Sequence, residues 1–361
     1  MNPIIHRFKI LDSLRGIAAI LVFMYHMKGV TFLTNNKFIN SSGIFVDLFF
    51  ILSGFVIYHN YKKRIKTYTE AKTFFIKRFK RLYPLHFYTL VIIILIEFVK
   101  LITYNFLPYD KAPFYGNSIS TIFTNLFLLN STPLFQGFLW NGQSWSISAE
   151  LFCYLLFIIV SIFFFKNRKN TLVTTLTIII LSYLFFFFKY DNFAIIRYYE
   201  YSFVRAFIGF FLGVGVYLLR EKTQISPKEN RFFLASLMEL SLIVLIVYLT
   251  SLYSILRNHY YIYHLVFSII ILTFSYEKGM ISYLFSKRVF QNLGLWSYSI
   301  YLNHMATILI FEMIYIKLLK LEGFVLILSE LTSIIFTCIY SKYTYKYIEK
   351  RFYKKLNVTH K

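Results

Sequence analysis

The segment LDSLRGIAAILVFMYHM (residues 11–27) holds an ionisable pair, Arg15 and His26, inside an apolar run of membrane length. The step of eleven positions from Arg15 to His26 turns a helix by about 1100°, within roughly 20° of three full turns, and rises about 16 Å. Both side chains therefore face the same way at different depths. Ionisable residues inside a membrane helix indicate a functional site by default. The alternative is that Arg15 reaches back to the membrane interface and that His26 is a satisfied polar group in a helix bundle.

The composition of the chain predicts a membrane protein built of helices. Hydrophobic residues make up 58% of the 361 residues, charged residues make up 15%, and the mean hydropathy is +0.58. A water-soluble domain of this composition could not cover its own surface. The first apolar segment carries charge and has no small-residue cleavage site after it, so it is expected to remain as a membrane helix.

Apolar runs of about 20 residues, bounded by charged or turn residues, predict an all-α bundle of about ten membrane-spanning helices. The predicted spans are residues 10–29, 43–61, 82–104, 146–165, 171–189, 200–219, 233–253, 259–276, 293–316 and 324–342. A shorter run, residues 119–129, is too brief to cross and is expected to lie in the outer interface.

The distribution of lysine and arginine predicts the orientation of the bundle. If the N-terminus is cytoplasmic, the inner segments hold 28 of the 39 basic residues, and the outer segments and helix ends hold 9. This asymmetry follows the positive-inside rule and predicts that both termini are cytoplasmic. Topology and contact with anionic lipid account for the net charge of +23, so no nucleic-acid partner is expected. The Phe-, Ile-, Lys- and Asn-rich composition indicates the cytoplasmic membrane of a bacterium with a low-GC genome.

Three polar residues of the predicted spans fall in an outer layer. These are His26, Asp47 near the start of the second span, and Glu150 in the first turn of the fourth span. A histidine with neighbouring carboxylates is suited to proton transfer. Carboxylates near helix N-termini are also favoured by the helix dipole whatever the function, so a purely structural role of Asp47 and Glu150 stays open.

A basic inner layer contains Arg15 and the run KRFKRLYP, residues 77–84. Arg78 and Arg81 lie one helical turn apart in this run, and guanidinium groups so placed are suited to binding phosphate. Pro84 is expected to open the third span, at the first helical position, where proline is tolerated. The alternative is an amphipathic stretch that merely lies on anionic headgroups.

Motifs of several other enzyme classes are absent from the sequence. The chain has no Gly-x-Ser-x-Gly elbow, no histidine pair spaced for zinc and no P-loop. Cys153 and Cys338 belong to no metal or redox spacing, so we expect no bound metal. For Gly54, in LSGF, the alternative to a functional role is a close contact between helices.

Five strings occur in order along the chain and together resemble the acyltransferase 3 family of integral membrane acyltransferases. They are LDSLRGIAAILVFMYH (11–26), FVDLFFILSGFVI (45–57), RFKRLYP (78–84), WSISAE (145–150) and SYSIYLNH (297–304). Each string alone would be weak evidence, but five in the family's order are specific, and the resemblance covers nearly the whole chain.

The resemblance implies a ten-helix bundle that moves an acyl group, usually acetyl, from cytoplasmic acyl-coenzyme A to a hydroxyl of a sugar or similar acceptor. That acceptor is often part of a cell-surface glycan, free or lipid-linked. Many family members carry a hydrolase-like extracytoplasmic domain after the membrane part. Residues 1–361 are expected to form a single membrane acyltransferase domain without such an addition.

Carried over residue by residue, the motif arginines of the family correspond to Arg15, Arg78 and Arg81, and we expect their guanidinium groups to hold the nucleotide and pyrophosphate end of coenzyme A. The rise of about 16 Å from Arg15 to His26 is of the order of the flexible arm of coenzyme A. His26 is then expected to act as general base, with Asp47 fixing its tautomer and stabilising the imidazolium. Glu150 is expected either to take the role of Asp47 or to orient the acceptor. An acyl-histidine intermediate is the other possibility.

Residues of the fourth and fifth strings are expected to line the acceptor side. Tyr301 and His304, three residues apart on the ninth span, share a helix face, and Trp145 lies close to Glu150 in sequence. Core packing is the alternative for the Tyr301–His304 pair. Two other classes of protein also remain open, namely a transporter or flippase of glycan or lipid and a non-catalytic membrane scaffold.

Overall fold

The structure is a computed structural model that describes residues 7–27, 30–134, 140–190, 199–223 and 232–352. Within these ranges the chain is helical and contains no strand, which confirms the all-α prediction. The α-helices are, in chain order, α1 (Lys9–His26), α2 (Phe45–Tyr61), α3 (Tyr68–Thr103), α4 (Ile119–Leu126), α5 (Trp145–Phe163), α6 (Arg168–Tyr190), α7 (Ser202–Lys222), α8 (Phe232–Ser251), α9 (Tyr253–Leu256), α10 (Tyr261–Phe274), α11 (Met280–Phe285), α12 (Arg288–Phe311) and α13 (Gly323–Thr344).

Eight helices of the described chain are long and apolar enough to cross a membrane, so the protein is a multi-pass membrane protein. They are α2, α3, α5, α6, α7, α8, α12 and α13. The first predicted span corresponds to α1, which carries Lys9, Asp12 and Arg15, and the eighth corresponds to α10, which has 14 residues. The crossing of these two helices, and with it the total of ten, stays a prediction.

The third helix begins well before the predicted third span. Thr67 caps α3 in a capping box: its side chain accepts from the Glu70 backbone N–H at 3.3 Å, and the Glu70 carboxylate accepts from the Thr67 backbone N–H at 3.0 Å. Two otherwise unpaired groups are thereby satisfied at the helix start. The prediction that Pro84 opens this span is wrong, because Pro84 lies inside α3. Membrane helices tolerate an internal proline when neighbouring groups satisfy the freed carbonyl.

Helices α1 and α12 run parallel in close contact. Near their N-terminal ends a Cβ added to Gly16 would lie 2.6 Å from the backbone nitrogen of Gly294, so only glycine permits this approach. Ten residues further along each helix, the rings of His26 and His304 are in contact. Small residues at a helix crossing allow the backbones to meet, as is common in membrane bundles.

Helices α2 and α7 form a second closely packed pair. A Cβ on Gly54 would lie 1.8 Å from the carbonyl oxygen of Phe210, and one on Gly213 would lie 2.0 Å from that of Ile51. The close-contact interpretation of Gly54 is thus confirmed. Helices α2 and α7 form part of the main hydrophobic core. Residues of α2 also line a cavity together with α1, α3, α5 and α12.

Candidate active site

A cavity of about 80 Å³ lies between five helices of the bundle. Its walls come from α1, α2, α3, α5 and α12, and they consist of Arg15, Val46, Phe49, Phe50, Ser53, Val56, Ile57, Arg78, Arg81, Leu82, Ser146, Ile147, Glu150, Tyr154, Ser297, Tyr298 and Tyr301.

The cavity is elongated along the helices. On α2 its lining extends from Val46 to Ile57, eleven residues that rise about 16 Å. On α5 it extends from Ser146 to Tyr154. The arginines lie toward the end predicted to face the cytoplasm, and Tyr301 lies toward the opposite end. A long, flexible ligand could therefore occupy the cavity with its two ends at different membrane depths.

All three arginines of the predicted inner layer line this one cavity. Arg15 comes from α1, whereas Arg78 and Arg81 come from successive turns of α3. Arg78 is buried, and its guanidinium lies over the rings of Tyr61 and Phe74, at 5.1 and 5.7 Å from the ring centroids. The Nε atom of Arg78 is buried without a hydrogen-bond acceptor among the described residues. A buried donor of this kind indicates room for an acceptor such as a phosphate oxygen.

Glu150 faces the arginine cavity and is not at the outer surface. Its carboxylate accepts hydrogen bonds from the hydroxyls of Ser53 and Tyr154, both at 2.6 Å, and it interacts electrostatically with Arg15. Glu150 is the sixth residue of α5, so the expected place in the first helical turn is wrong. The helix dipole therefore does not account for Glu150. Its carboxylate lies in the cavity that the three arginines also line.

Glu349 is a second carboxylate near the arginines, and the sequence analysis did not identify it. It is buried at the end of the widened helical segment Tyr345–Glu349, and the Ser299 hydroxyl donates to it at 3.1 Å. It interacts electrostatically with Arg81 and Arg15. The sequence signal for Glu349 is that it is the one acidic residue in the otherwise basic stretch KYIEKR.

At the end of the cavity opposite the arginines, Tyr301 belongs to a small hydrogen-bond network. Tyr301 is buried, its hydroxyl accepts from Ser146 Oγ at 2.8 Å, and it donates to the carbonyl of Gln143 at 3.1 Å. The Tyr301 and His304 rings are in contact, with centroids 5.6 Å apart. The expected shared face of these two residues on one helix is thus found.

His304 connects the end of the cavity with His26. The centroids of the two imidazole rings are 4.7 Å apart, and the planes are tilted by 47°. His26 is the last residue of α1 and is exposed. Its Nδ1 lies 2.8 Å from the carbonyl oxygen of Val22. Because a carbonyl only accepts, Nδ1 carries the hydrogen and Nε2 carries the lone pair when the ring is neutral. Nε2 is therefore the basic atom of His26.

Asp47 does not orient His26, contrary to the sequence-based expectation. Both oxygens of its carboxylate bind Arg205 of α7, with Nε at 2.9 Å and Nη2 at 2.7 Å. The Tyr260 hydroxyl also donates to Asp47, and His264 Nε2 lies 3.5 Å away. The close packing of α2 on α7 turns Asp47 toward α7, and the tautomer of His26 is set by a carbonyl of its own helix. An arginine inside a predicted span requires an acidic partner. Arg205 could therefore have indicated from the sequence that Asp47 forms an ion pair.

Trp145 belongs to the same buried cluster and not to the cavity wall. It is 8% exposed, packs edge-on against Phe50, and lies over the guanidinium of Arg205, with the ring centroid at 5.1 Å. The expectation that Trp145 lines the acceptor side is therefore wrong. Its neighbour Ser146 faces the cavity instead.

The fold and the site define a multi-pass membrane protein with an elongated, cationic cavity inside the bundle. Comparison with known families adds the identity: the acyltransferase domain model of the acyltransferase 3 family matches residues 8–342. The chain belongs to this family.

Two curated relatives match parts of the chain. A segment of 81 residues is 46% identical to Protein 2 in picA locus of Rhizobium radiobacter and covers 22% of this chain and 40% of that protein. A segment of 169 residues is 31% identical to Acyltransferase MdmB of Streptomyces mycarofaciens and covers 44% of this chain and 40% of that protein. The chain thus spans about two fifths of the length of these relatives. No solved structure matches it significantly.

Proposed function

We propose that this acyltransferase moves an acyl group, in the first instance acetyl, from cytoplasmic acyl-coenzyme A to a hydroxyl of a cell-surface glycan or similar sugar, free or lipid-linked. The proposed location is the cytoplasmic membrane of a bacterium. One observation carries the proposal: Arg15, Arg78 and Arg81 converge on one end of an elongated cavity whose other end is Tyr301.

The donor half of the proposal rests on charge and shape. Three guanidinium groups and one carboxylate line the cavity, which leaves a positive excess for the phosphates of coenzyme A. Planar guanidinium forks bind phosphate oxygens in pairs and hold them in a fixed orientation. The extended arm then follows the cavity toward Tyr301, and its amide N–H groups pass the Glu150 carboxylate, which is an acceptor.

The chemical half of the proposal places His26 as general base. The acceptor hydroxyl gives its proton to Nε2 of His26, and its oxygen forms a bond to the thioester carbonyl carbon. Collapse of the tetrahedral intermediate breaks the carbon–sulfur bond, and the coenzyme A thiolate takes up the proton. The exposure of His26 supports access by an acceptor from the outer side. Tyr301 and His304 lie between this base and the donor cavity and are proposed to contact the acceptor.

Coenzyme A release tests the proposal most simply. The purified protein in detergent is supplied with acetyl-coenzyme A and a panel of sugars, and free thiol and labelled acetyl ester are both measured. We expect thiol release that depends on an acceptor and an equal amount of ester. If no sugar gives thiol release and coenzyme A does not bind, the proposed donor is wrong. Uptake of an intact glycan by vesicles containing the protein would then favour the transport alternative.

A further inference from the structure

The end of the cavity opposite the three arginines is largely apolar. The residues that line it come from the first two turns of α2, the start of α5 and the middle of α12, and they are Val46, Phe49, Phe50, Ser146, Ile147 and Tyr301. All but Ser146 and Tyr301 have hydrocarbon side chains. The Ser146 hydroxyl donates to Tyr301, and the Tyr301 hydroxyl donates to the Gln143 carbonyl, so both protons are already bound within the protein. This end therefore suits an apolar group, which loses no hydrogen bond when it is buried there.

The walls of this apolar end are held in place by contacts with their neighbours. Tyr301 is fixed by its two hydrogen bonds, and Phe49 packs edge-on against its ring, with centroids 5.7 Å apart and planes at 68°. Phe50 packs edge-on against Trp145, with centroids 6.0 Å apart. A pocket with such walls resists widening, because extra methylene groups in a well-packed site force side chains away from their preferred rotamers.

We propose that this apolar end is the acyl pocket and that Phe49, packed on Tyr301, limits the acyl group to a short chain of acetyl size. The inference rests on the proposed function. With the phosphates of coenzyme A on the arginines, the arm directs the thioester toward Tyr301, and the acyl carbons beyond the thioester lie beside Phe49. The Tyr301 ring also contacts that of His304, with centroids 5.6 Å apart. The thioester is thus next to the residues proposed to contact the acceptor.

Phe49 is the wall residue whose size can be changed with the least disturbance of the core. It is partly exposed, whereas Phe50 and Ile147 are almost completely buried. Replacing its benzyl group by a methyl group leaves a space that a longer alkyl chain can fill but that an acetyl group cannot. The preference between short and long acyl chains is therefore the property that Phe49 should control.

Equilibrium binding of free, acetyl- and hexanoyl-coenzyme A to the purified protein tests this role without turnover. The wild type should bind acetyl-coenzyme A at least about tenfold more tightly than hexanoyl-coenzyme A, since one misplaced methylene group in an apolar pocket already changes binding by about that factor. Phe49→Ala should bring the two affinities to within about threefold, and Phe49→Leu should fall between. Free coenzyme A should bind all three proteins alike, which shows that the variants are folded and that the arginine end is intact.

Phe87→Ala is the matched control, because Phe87 is exposed on α3 and does not line the cavity. It should keep the wild-type preference and so accounts for uptake of the hexanoyl chain by detergent. The inference is overturned if the wild type binds hexanoyl- as tightly as acetyl-coenzyme A, or if both Phe49 variants keep the wild-type preference. A wild type that shows the preference but transfers no acyl group to any sugar would contradict the proposed function alone. If the wild type binds no coenzyme A, the proposed donor and the acyl pocket are both wrong.

Discussion

At the scale of single residues, the proposed chemistry depends on one exposed imidazole at the end of α1. The Val22 carbonyl fixes the tautomer of His26, so the basic nitrogen is turned away from its own helix. His26 is separated from the cavity lining by one ring, that of His304. Donor binding and proton transfer are thus assigned to different residues and are separable by substitution.

His26→Ala is expected to lower acyl transfer by at least about a hundredfold, the lower end of general-base contributions. Coenzyme A should still bind, because the arginines are untouched. The measurement is ester formation alongside a coenzyme A thermal shift. His259→Ala, at an exposed histidine far from the cavity lining, is the control and should keep full activity. Turnover above about a tenth of wild type in His26→Ala would remove His26 from the mechanism.

The candidate residues were predictable from the sequence where they lie on one helix face. Arg15 with His26 and Tyr301 with His304 follow from helical spacing alone; the structure places the first pair on one helix, α1, and the rings of the second pair in contact. Tyr154 lies one helical turn from its partner Glu150, but Ser53 and the partners of Asp47 were not predictable, because they lie 97 to 213 positions away in the chain. The direction in which each carboxylate turns is decided by helix packing, which a single sequence does not reveal.

At the scale of elements, the contact of α2 with α7 is held by a buried ion pair. Asp47→Leu leaves the Arg205 guanidinium buried without its carboxylate, which should cost about 3–5 kcal/mol of unfolding free energy. The double variant Asp47→Leu/Arg205→Met removes both charges and should recover roughly half of that loss or more. Unfolding in mixed detergent measures both. A single variant as stable as wild type but inactive in transfer would show that Asp47 acts in the chemistry.

Glycine contacts in the same pair of helices give a second prediction. Gly54→Ala would place a Cβ 1.8 Å from the Phe210 carbonyl oxygen, so α2 and α7 must separate, at a cost of roughly 1–3 kcal/mol. Gly215→Ala on α7 meets only the Thr175 methyl group at 3.9 Å and should be close to neutral. Thermal unfolding in detergent compares the two. Equal stability of the two variants would contradict the close packing of α2 and α7.

The limits of α3 show what the hydropathy pattern could not resolve. An apolar run predicts the part of a helix that lies inside the membrane, but it does not predict a basic extension of the same helix outside it. Thr67 and Glu70 form the S/T-x-x-E signature of a helix start, which was readable but overlooked. As a result, Arg78 and Arg81 lie on a continuous helix and not in a loop. Their geometry relative to Glu150 is correspondingly fixed.

At the scale of the whole molecule, the bundle joins two membrane depths through one cavity. Parallel packing of α1 with α12 aligns Gly16 with Gly294 at one end and His26 with His304 at the other. The cavity extends between α2, α3, α5 and α12, from the three arginines to Tyr301. This separation is what the proposed donor, with a phosphate end and a thioester end, requires.

Equilibrium binding of coenzyme A to purified variants tests this central claim most directly. Arg78→Lys keeps the positive charge but loses the planar fork and the Nε donor, so affinity should fall about tenfold, with Arg81→Lys behaving alike. Lys80→Gln, which removes an exposed charge between them on α3, should bind like wild type. If the two arginine variants bind coenzyme A as tightly as wild type, or if only Lys80→Gln weakens binding, the cavity is not the donor site.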